Sequence, residues 1–259
     1  MFLTSSKRLI LKFISFDKNM ITTVDLLAFG AHPDDVELSC SGTIAKHIKL
    51  GKTVGVVDLT FGELGTRGNS ELRKKEAAEA SSILGLTFRH TLDLGDGSFE
   101  NNFDTRLKII ELIRASKPKI VLANAPNDRH PDHGRAAKLI SDSCFFSGLS
   151  KIESMYYGIQ QDAHRPSAIY NYIQDFYLSP NFCIDVSDFI DVKLRSIQAF
   201  SSQFYNPDSP EPETPISSKE FIESVLAKMQ VFGRQIGVKY AEGFISARLS
   251  GVNSLFDLI

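Results

Sequence analysis

A short polar turn, residues 30–35, carries side chains that can do chemistry. It follows the apolar run 24–29 and contains His32, Asp34 and Asp35. The spacing of His32 and Asp35 can bring an imidazole and a carboxylate to one side of a tight turn, as a divalent metal site requires. Asp34 then remains beside the metal as a general base. Taken alone, the stretch fits an ordinary surface turn equally well, because proline and aspartate are common turn residues.

A second polar turn, residues 124–134, follows the apolar run 119–123 and carries His130, Asp132 and His133. If both apolar runs are parallel strands, the two turns lie on the same edge of one sheet. Two His-Pro-Asp turns at two strand ends favour convergent metal ligation over two unrelated loops.

Together the two turns predict a metal site that hydrolyses an amide or an ester. His32, Asp35 and His133 would supply three protein ligands and leave a position for water, whose pKa a metal lowers to about 7. His130 would stabilise the tetrahedral oxyanion or protonate the departing nitrogen. Asp132 would hold His130 in orientation, as carboxylates do for catalytic histidines.

The elements around these turns predict an α/β fold. Strands are expected at residues 24–29, 53–59, 87–92, 119–123, 154–159 and 168–173, and helices at 38–50, 70–84, 103–115, 134–147, 187–202 and 217–232. This alternation predicts a Rossmann-like, doubly wound, largely parallel sheet with helices on both faces and C-terminal β/α additions. One domain is expected over residues 20–259, residues 1–19 are expected to be a disordered extension, and the proline-rich stretch 206–215 is expected to be a loop or lid.

Composition and the absence of other motifs exclude several classes of protein. Among 259 residues, 29 Lys and Arg nearly balance 31 Asp and Glu, so no overall field recruits nucleic acid or an anionic membrane. No apolar stretch is long enough to span a bilayer. Cys40, Cys144 and Cys183 are odd in number and far apart, which predicts reduced thiols and a cytoplasmic location. The chain lacks both a G-x-G-x-x-G after the first strand and a G-x-S-x-G, which argues against a dinucleotide-dependent oxidoreductase and a serine hydrolase.

Three strings resemble the PIG-L/LmbE family of zinc-dependent N-acetylglucosamine deacetylases: residues 31–35, 63–68 and 130–133. The similarity runs from about residue 24 to the end of the chain. Within the family, three further strings are most similar to the bacillithiol biosynthesis deacetylases, which remove acetate from N-acetylglucosaminyl malate: residues 57–60, 123–136 and 164–167.

The resemblance implies the same roles as the two turns: zinc bound by His32, Asp35 and His133, Asp34 as the base, and His130 facing the oxyanion. One zinc ion per chain is expected, and such a site also accepts other divalent metals.

The resemblance also implies two features that the polar turns do not predict. Arg67 would contact a small-molecule amino-sugar substrate, and the chain would form a homo-oligomer. Many members of the family have an acid directly after the paired aspartates, whereas this chain has Val36 and then Glu37, so a role for that acid does not transfer.

Two alternatives remain open. The substrate could be another N-acetylglucosamine-containing molecule, or the chain could be a non-catalytic module that binds a sugar or a metal. The other three histidines, His47, His90 and His164, are expected to be solvated, capping or structural.

Overall fold

The computed structural model describes residues 21–257. These residues form one seven-stranded sheet with helices around it and a separate two-stranded hairpin. The strands are β1 (Leu26–Gly30), β2 (Val54–Asp58), β3 (Phe88–Thr91), β4 (Ile120–Ala123), β5 (Met155–Tyr156), β6 (Ile159–Gln160), β7 (Ala168–Tyr172), β8 (Phe182–Asp185) and β9 (Ala241–Ser246). The helices are α1 (Asp35–Lys49), α2 (Ser70–Leu84), α3 (Phe103–Ser116), α4 (Pro131–Ser147), α5 (Ile190–Gln198) and α6 (Lys219–Gln235). The extension predicted for residues 1–19 lies outside the described residues.

The order of the strands places a crevice between β1 and β4. The sheet has the order β3-β2-β1-β4-β7-β9-β8. The first five of these strands are parallel, and β9 runs antiparallel to both β7 and β8. The chain moves outward from β1 to β3 and then returns to the other side of β1 as β4. Doubly wound sheets bind ligands at such a reversal, outside the carboxyl ends of the strands. The predicted fold class is confirmed.

Both faces of the sheet are covered, which explains why its central strands are apolar at nearly every position. On one face Leu27 and Phe29 of β1 pack with α3 and α4. On the other face Leu26 and Ala28 pack with α1. None of the helices among residues 21–257 combines the length and the apolar character that a membrane crossing needs.

Two predicted elements differ from the structure, and two of its strands have no predicted counterpart. The strand expected at 154–159 is instead the hairpin β5–β6, whose turn residues Tyr157 and Gly158 both have positive φ. The helix expected at 187–202 is a short 3-10 turn followed by the shorter helix α5. Strands β8 and β9 were not predicted, because Glu242 and Gly243 interrupt the apolar pattern of β9.

A buried ion pair holds α1 against the C-terminal elements. Lys193 Nζ of α5 lies 2.8 Å from Glu242 Oε1 of β9, and both side chains are about 1% exposed. The ammonium also donates to the Leu38 carbonyl at 2.8 Å, and the Gly42 and Thr43 amides donate to the carboxylate at 3.0 and 2.7 Å. The pair therefore fixes the helix that begins at Asp35.

We predict that Glu242→Gln lowers the free energy of unfolding by about 3–5 kcal/mol, because it leaves the buried Lys193 charge without a counter-ion. The matched control is Glu223→Gln, since Glu223 forms an exposed pair with Lys219 at 3.8 Å. That control should cost less than about 0.5 kcal/mol. Chemical denaturation measures both changes, and equal effects would contradict the importance assigned to the buried pair.

Candidate metal and substrate site

The two polar turns meet at the crevice between β1 and β4. The ring centroids of His32 and His130 lie 4.6 Å apart, those of His32 and His133 lie 5.7 Å apart, and those of His130 and His133 lie 5.3 Å apart. Helices α1 and α4 each begin three residues earlier than predicted, at Asp35 and Pro131. Asp35 and His133 therefore lie in first helical turns, which direct their side chains to the same point.

Asp35 is the buried carboxylate at the centre of this cluster. Its Oδ1 lies 3.0 Å from His133 Nε2, and its Oδ2 lies 3.7 Å from His32 Nδ1. The side-chain amides of Asn124 and Gln174 donate to it at 2.9 and 3.0 Å. Burial opposes ionisation, but the charges of His133 and His32 hold the pKa of Asp35 well below its usual range. Asp35 is therefore an ionised oxygen donor between two imidazoles.

A second carboxylate lies behind each imidazole that faces Asp35. Asp96 Oδ1 is 2.9 Å from His32 Nε2, and Asp128 Oδ2 is 2.5 Å from His133 Nδ1. Because an ionised carboxylate only accepts hydrogen bonds, these contacts assign an N–H to His32 Nε2 and to His133 Nδ1. The opposite ring nitrogens, His32 Nδ1 and His133 Nε2, face Asp35. Histidines that bind metals share this arrangement, because one ring nitrogen donates to a carboxylate and the other binds the metal.

The sequence patterns do not predict a role for the two outer carboxylates, those of Asp96 and Asp128. Asp96 is 64 residues from His32, and no local pattern connects the two. Asp128 precedes His133 by only five residues and lies within the second polar turn, so the expectation that a ligating histidine has a carboxylate partner could have identified it.

The cluster favours positive charge and fits a divalent cation. Although burial favours a neutral ring, hydrogen bonds to Asp132 and Asp96 raise the pKa of His32 to about 10. Neighbouring carboxylates likewise raise the pKa of His133 to about 9, against the effect of burial. Ligand nitrogens of the three histidines lie within 4.8 Å of one another, as do ligand atoms of His32, Asp96 and Asp132. Imidazole and carboxylate donors suit zinc and other divalent metals.

Asp34 lies beside the cluster in a backbone conformation that is rare outside glycine, with φ at +118°. Its Oδ2 accepts a hydrogen bond from Arg73 Nη2 at 2.8 Å. Arg73 also donates to the carbonyls of Pro33 and Gly62, so it holds the strained turn in place. Burial raises the pKa of Asp34 to about 7, although the Arg73 guanidinium opposes this. Asp34 is thus easier to protonate than an ordinary aspartate.

The carboxylate of Asp132 contacts partners other than His130. It accepts a hydrogen bond from Gly97 N at 2.8 Å, pairs with Arg135 at 2.5 Å and lies 3.4 Å from His32 Nε2. Among residues 21–257, no hydrogen bond joins it to His130. The orienting role predicted for Asp132 therefore stays a prediction.

The backbone orients His130. His130 caps α4, and the N–H of Asp132 donates to His130 Nδ1 at 3.3 Å. Burial lowers the pKa of His130, and the charges of His32 and His133 lower it further. A neutral imidazole that accepts at Nδ1 carries its proton on Nε2. His130 therefore offers an N–H donor next to the two other rings.

The cluster opens into a cavity of about 480 Å³, a size that suits a small-molecule ligand. Arg67 lies on its wall and is 4% exposed, and its Nε is 3.6 Å from Glu211 Oε2. The amide of Gly68 donates to Glu211 at 2.8 Å, which connects the glycine-rich loop to the proline-rich stretch. That stretch, 206–215, contains no helix or strand, as predicted, and it contributes to the cavity wall.

Other polar residues that stood out in the sequence are structural. Glu37 is fully buried and accepts a hydrogen bond from Arg89 at 2.6 Å. His164 contacts the Pro118 carbonyl through Nε2 at 2.8 Å, which is the structural loop role predicted for it. His47 contacts a carbonyl of its own helix at 2.8 Å.

Comparison with known proteins gives a consistent group of relatives. A family model described as GlcNAc-PI de-N-acetylase (PIG-L) matches residues 27–144. Diacetylchitobiose deacetylase from Thermococcus kodakarensis is 32% identical over 84% of this chain and 81% of its own length. 4-Oxalmesaconate hydratase from Pseudomonas putida is 25% identical over 68% of this chain and 73% of its own length.

The same fold is found in a solved structure, that of the conserved protein TT1542 from Thermus thermophilus. It is 35% identical, has a TM-score of 0.79 and covers 89% of this chain and 98% of its own. Because the curated relatives catalyse different reactions, the function of this chain has to be argued from its site residues.

We predict that Asp128→Asn weakens metal binding roughly 10- to 100-fold, because the amide no longer fixes the orientation and proton of His133. Competition with a chromogenic chelator measures the affinity. The control is Asp162→Asn, at an exposed acid outside the cavity, which should leave the affinity unchanged. Equal affinities for the two variants would remove Asp128 from the metal site.

Proposed function

The chain belongs to the PIG-L family of deacetylases, and we propose that it hydrolyses the N-acetyl group of N-acetylglucosaminyl conjugates with one bound divalent metal ion. The observation that carries this proposal is the buried convergence of His32, Asp35 and His133, with Asp34 beside them. A buried carboxyl with a raised pKa beside such a cluster is typical of catalytic sites, which favours an enzyme over a module that only binds a sugar or a metal.

We assign His32, Asp35 and His133 as the metal ligands in preference to the three histidines. His32 and His133 each have a carboxylate behind one ring nitrogen, which leaves the other nitrogen free to ligate. His130 instead accepts a backbone N–H at Nδ1, so that its Nε2 carries a proton and has no lone pair for a metal. This difference separates the proposed ligands from the proposed donor.

The side chains then divide the reaction between them. His32, Asp35 and His133 would hold a divalent metal ion, which would act as a Lewis acid toward the amide carbonyl and the attacking water. Asp34 accepts the proton of that water, and its pKa of about 7 suits the transfer near neutral pH. The Nε2–H of His130 donates a hydrogen bond to the carbonyl oxygen as negative charge develops on it, and the proton that Asp34 took from the water passes to the departing amine. Arg67 contacts the sugar conjugate from the cavity wall.

For the substrate we propose N-acetylglucosaminyl malate, the precursor deacetylated in bacillithiol biosynthesis. The similarity of residues 57–60, 123–136 and 164–167 to the bacillithiol deacetylases supports this choice. Diacetylchitobiose is the second candidate, because a relative named for that activity aligns with most of the chain.

We further propose zinc as the bound metal, a reducing cytoplasm as the compartment and a homo-oligomer as the assembly. The three cysteines are free, which supports a reducing compartment. Metal analysis of the purified protein and light scattering test the first and third of these statements.

An acetate-release assay with three substrates tests the proposed function. We predict the highest kcat/KM on N-acetylglucosaminyl malate, a lower value on diacetylchitobiose and the lowest on N-acetylglucosamine. Equal values on the malate conjugate and on N-acetylglucosamine would contradict the bacillithiol assignment alone. Acetate release from none of the three would contradict the deacetylase.

The neighbouring aspartates should respond differently to substitution. We predict that Asp34→Asn keeps its metal while kcat falls on the order of 10²- to 10⁴-fold, because the proton acceptor is lost. Asp35→Ala should lose the metal itself, because an anionic ligand is removed. Metal content by mass spectrometry and acetate release are measured on the same samples. An active Asp34→Asn variant would eliminate Asp34 as the base.

A further inference from the structure

Lys228 is a cation in the cavity wall that the proposed reaction does not use. It lies on α6 and lines the same cavity as His32, Asp34 and Arg67. Its side chain is half-buried, and burial lowers its pKa. A basic side chain in this position can contact a ligand in the cavity as well as bulk solvent.

The acids nearest to Lys228 are engaged elsewhere. Asp175 pairs with Arg129 Nε at 2.5 Å. Asp128 pairs with His133 and also accepts the Phe176 amide at 2.7 Å. Both acids act on Lys228 only at longer range. Within residues 21–257, the ammonium has neither a hydrogen-bond partner nor an ion-pair partner.

Two buried cations, Arg73 and Lys193, differ from Lys228 because each has an acidic partner. Arg73 is paired with Asp34 at 2.8 Å, and Lys193 with Glu242 at 2.8 Å. Removing a charge from water costs free energy unless a counter-ion compensates for it. Arg73 and Lys193 each have such a counter-ion, whereas Lys228 has none among the described residues. A ligand group of opposite charge would complete the pairing.

The position of Lys228 indicates which part of a ligand it meets. Lys228 lies on α6, and the segments after β4 and β7 contribute Arg129 and Asp175 to the same cavity. Arg67 occupies the glycine-rich loop after β2. Tyr177 and Phe221 add apolar surface to the same cavity. The cavity thus has room for a conjugate whose acetamido group reaches the histidines while another group meets Lys228.

We propose that Lys228 is a specificity-determining residue that binds an acidic group, a carboxylate or a phosphate, on the aglycone of the amino sugar. This inference rests on the proposed deacetylase function and narrows its substrate class to anionic conjugates. A neutral disaccharide fills the same cavity without compensating the ammonium, so it binds less tightly. Lys228 acts on binding and takes no part in proton transfer.

Steady-state kinetics of acetate release test this assignment with Lys228→Gln, Lys228→Arg and the control Lys219→Gln. Lys219 lies on the same helix, is exposed and pairs with Glu223. The substrates are N-acetylglucosaminyl malate, N-acetylglucosamine 1-phosphate and neutral diacetylchitobiose. Lys228→Gln should raise KM for the acidic substrate roughly 10- to 100-fold, the range expected for a lost hydrogen bond to a charged group.

In the same experiment kcat should stay within about twofold, KM for diacetylchitobiose should not change, and Lys228→Arg should restore most of the affinity. The acidic substrate that shows the larger change in KM identifies a carboxylate or a phosphate as the ligand. A similar effect on acidic and neutral substrates, or no effect on either, overturns the assignment of Lys228 and leaves the deacetylase intact. If the wild-type chain releases acetate from none of the three, both proposals fail.

Discussion

The parallel pairing of β1 with β4 is the constraint on which the site depends. The register joins Leu26 to Ile120 and Ala28 to Leu122, so the two strands end at nearly the same level. Each strand then leads directly into a polar turn, and each turn leads into a helix whose first residues carry a side chain of the cluster. Gly30 is required at the end of β1, because a Cβ there would lie 2.9 Å from the His32 carbonyl oxygen.

Charge compensation is the second constraint, and it extends from the cluster into the surrounding fold. Each buried acid near the start of α1 has a cation or several hydrogen-bond donors as partners. Arg73 pairs with Asp34, and Arg89 pairs with Glu37. Such pairing is necessary because an unpaired buried charge is strongly destabilising. Lys228 has no such partner among the described residues, and the cavity offers space for a ligand to complete the pairing there.

The sequence was sufficient for the parts of the structure that local patterns encode. Apolar runs predicted the parallel strands, and the His-Pro-Asp turns predicted which side chains meet at their ends. Contacts between distant segments could not be predicted in this way. Asp96 and Arg73 reach the first turn from other loops and helices, and Glu242 of β9 is polar because it meets Lys193. The contact of the Asp132 carboxylate with Gly97 was also not predictable, because sequence position does not fix the direction of a side chain in a first helical turn.

Removal and return of the metal show whether hydrolysis depends on a single bound ion. The protein would be stripped with a chelator, and zinc would be added back in substoichiometric steps while bound metal and acetate release are followed together. We expect the stripped protein to release no acetate and the rate to rise linearly to a plateau at one zinc ion per chain. Full activity of the stripped protein, or a plateau that does not coincide with one bound ion, would contradict a mechanism with one metal ion.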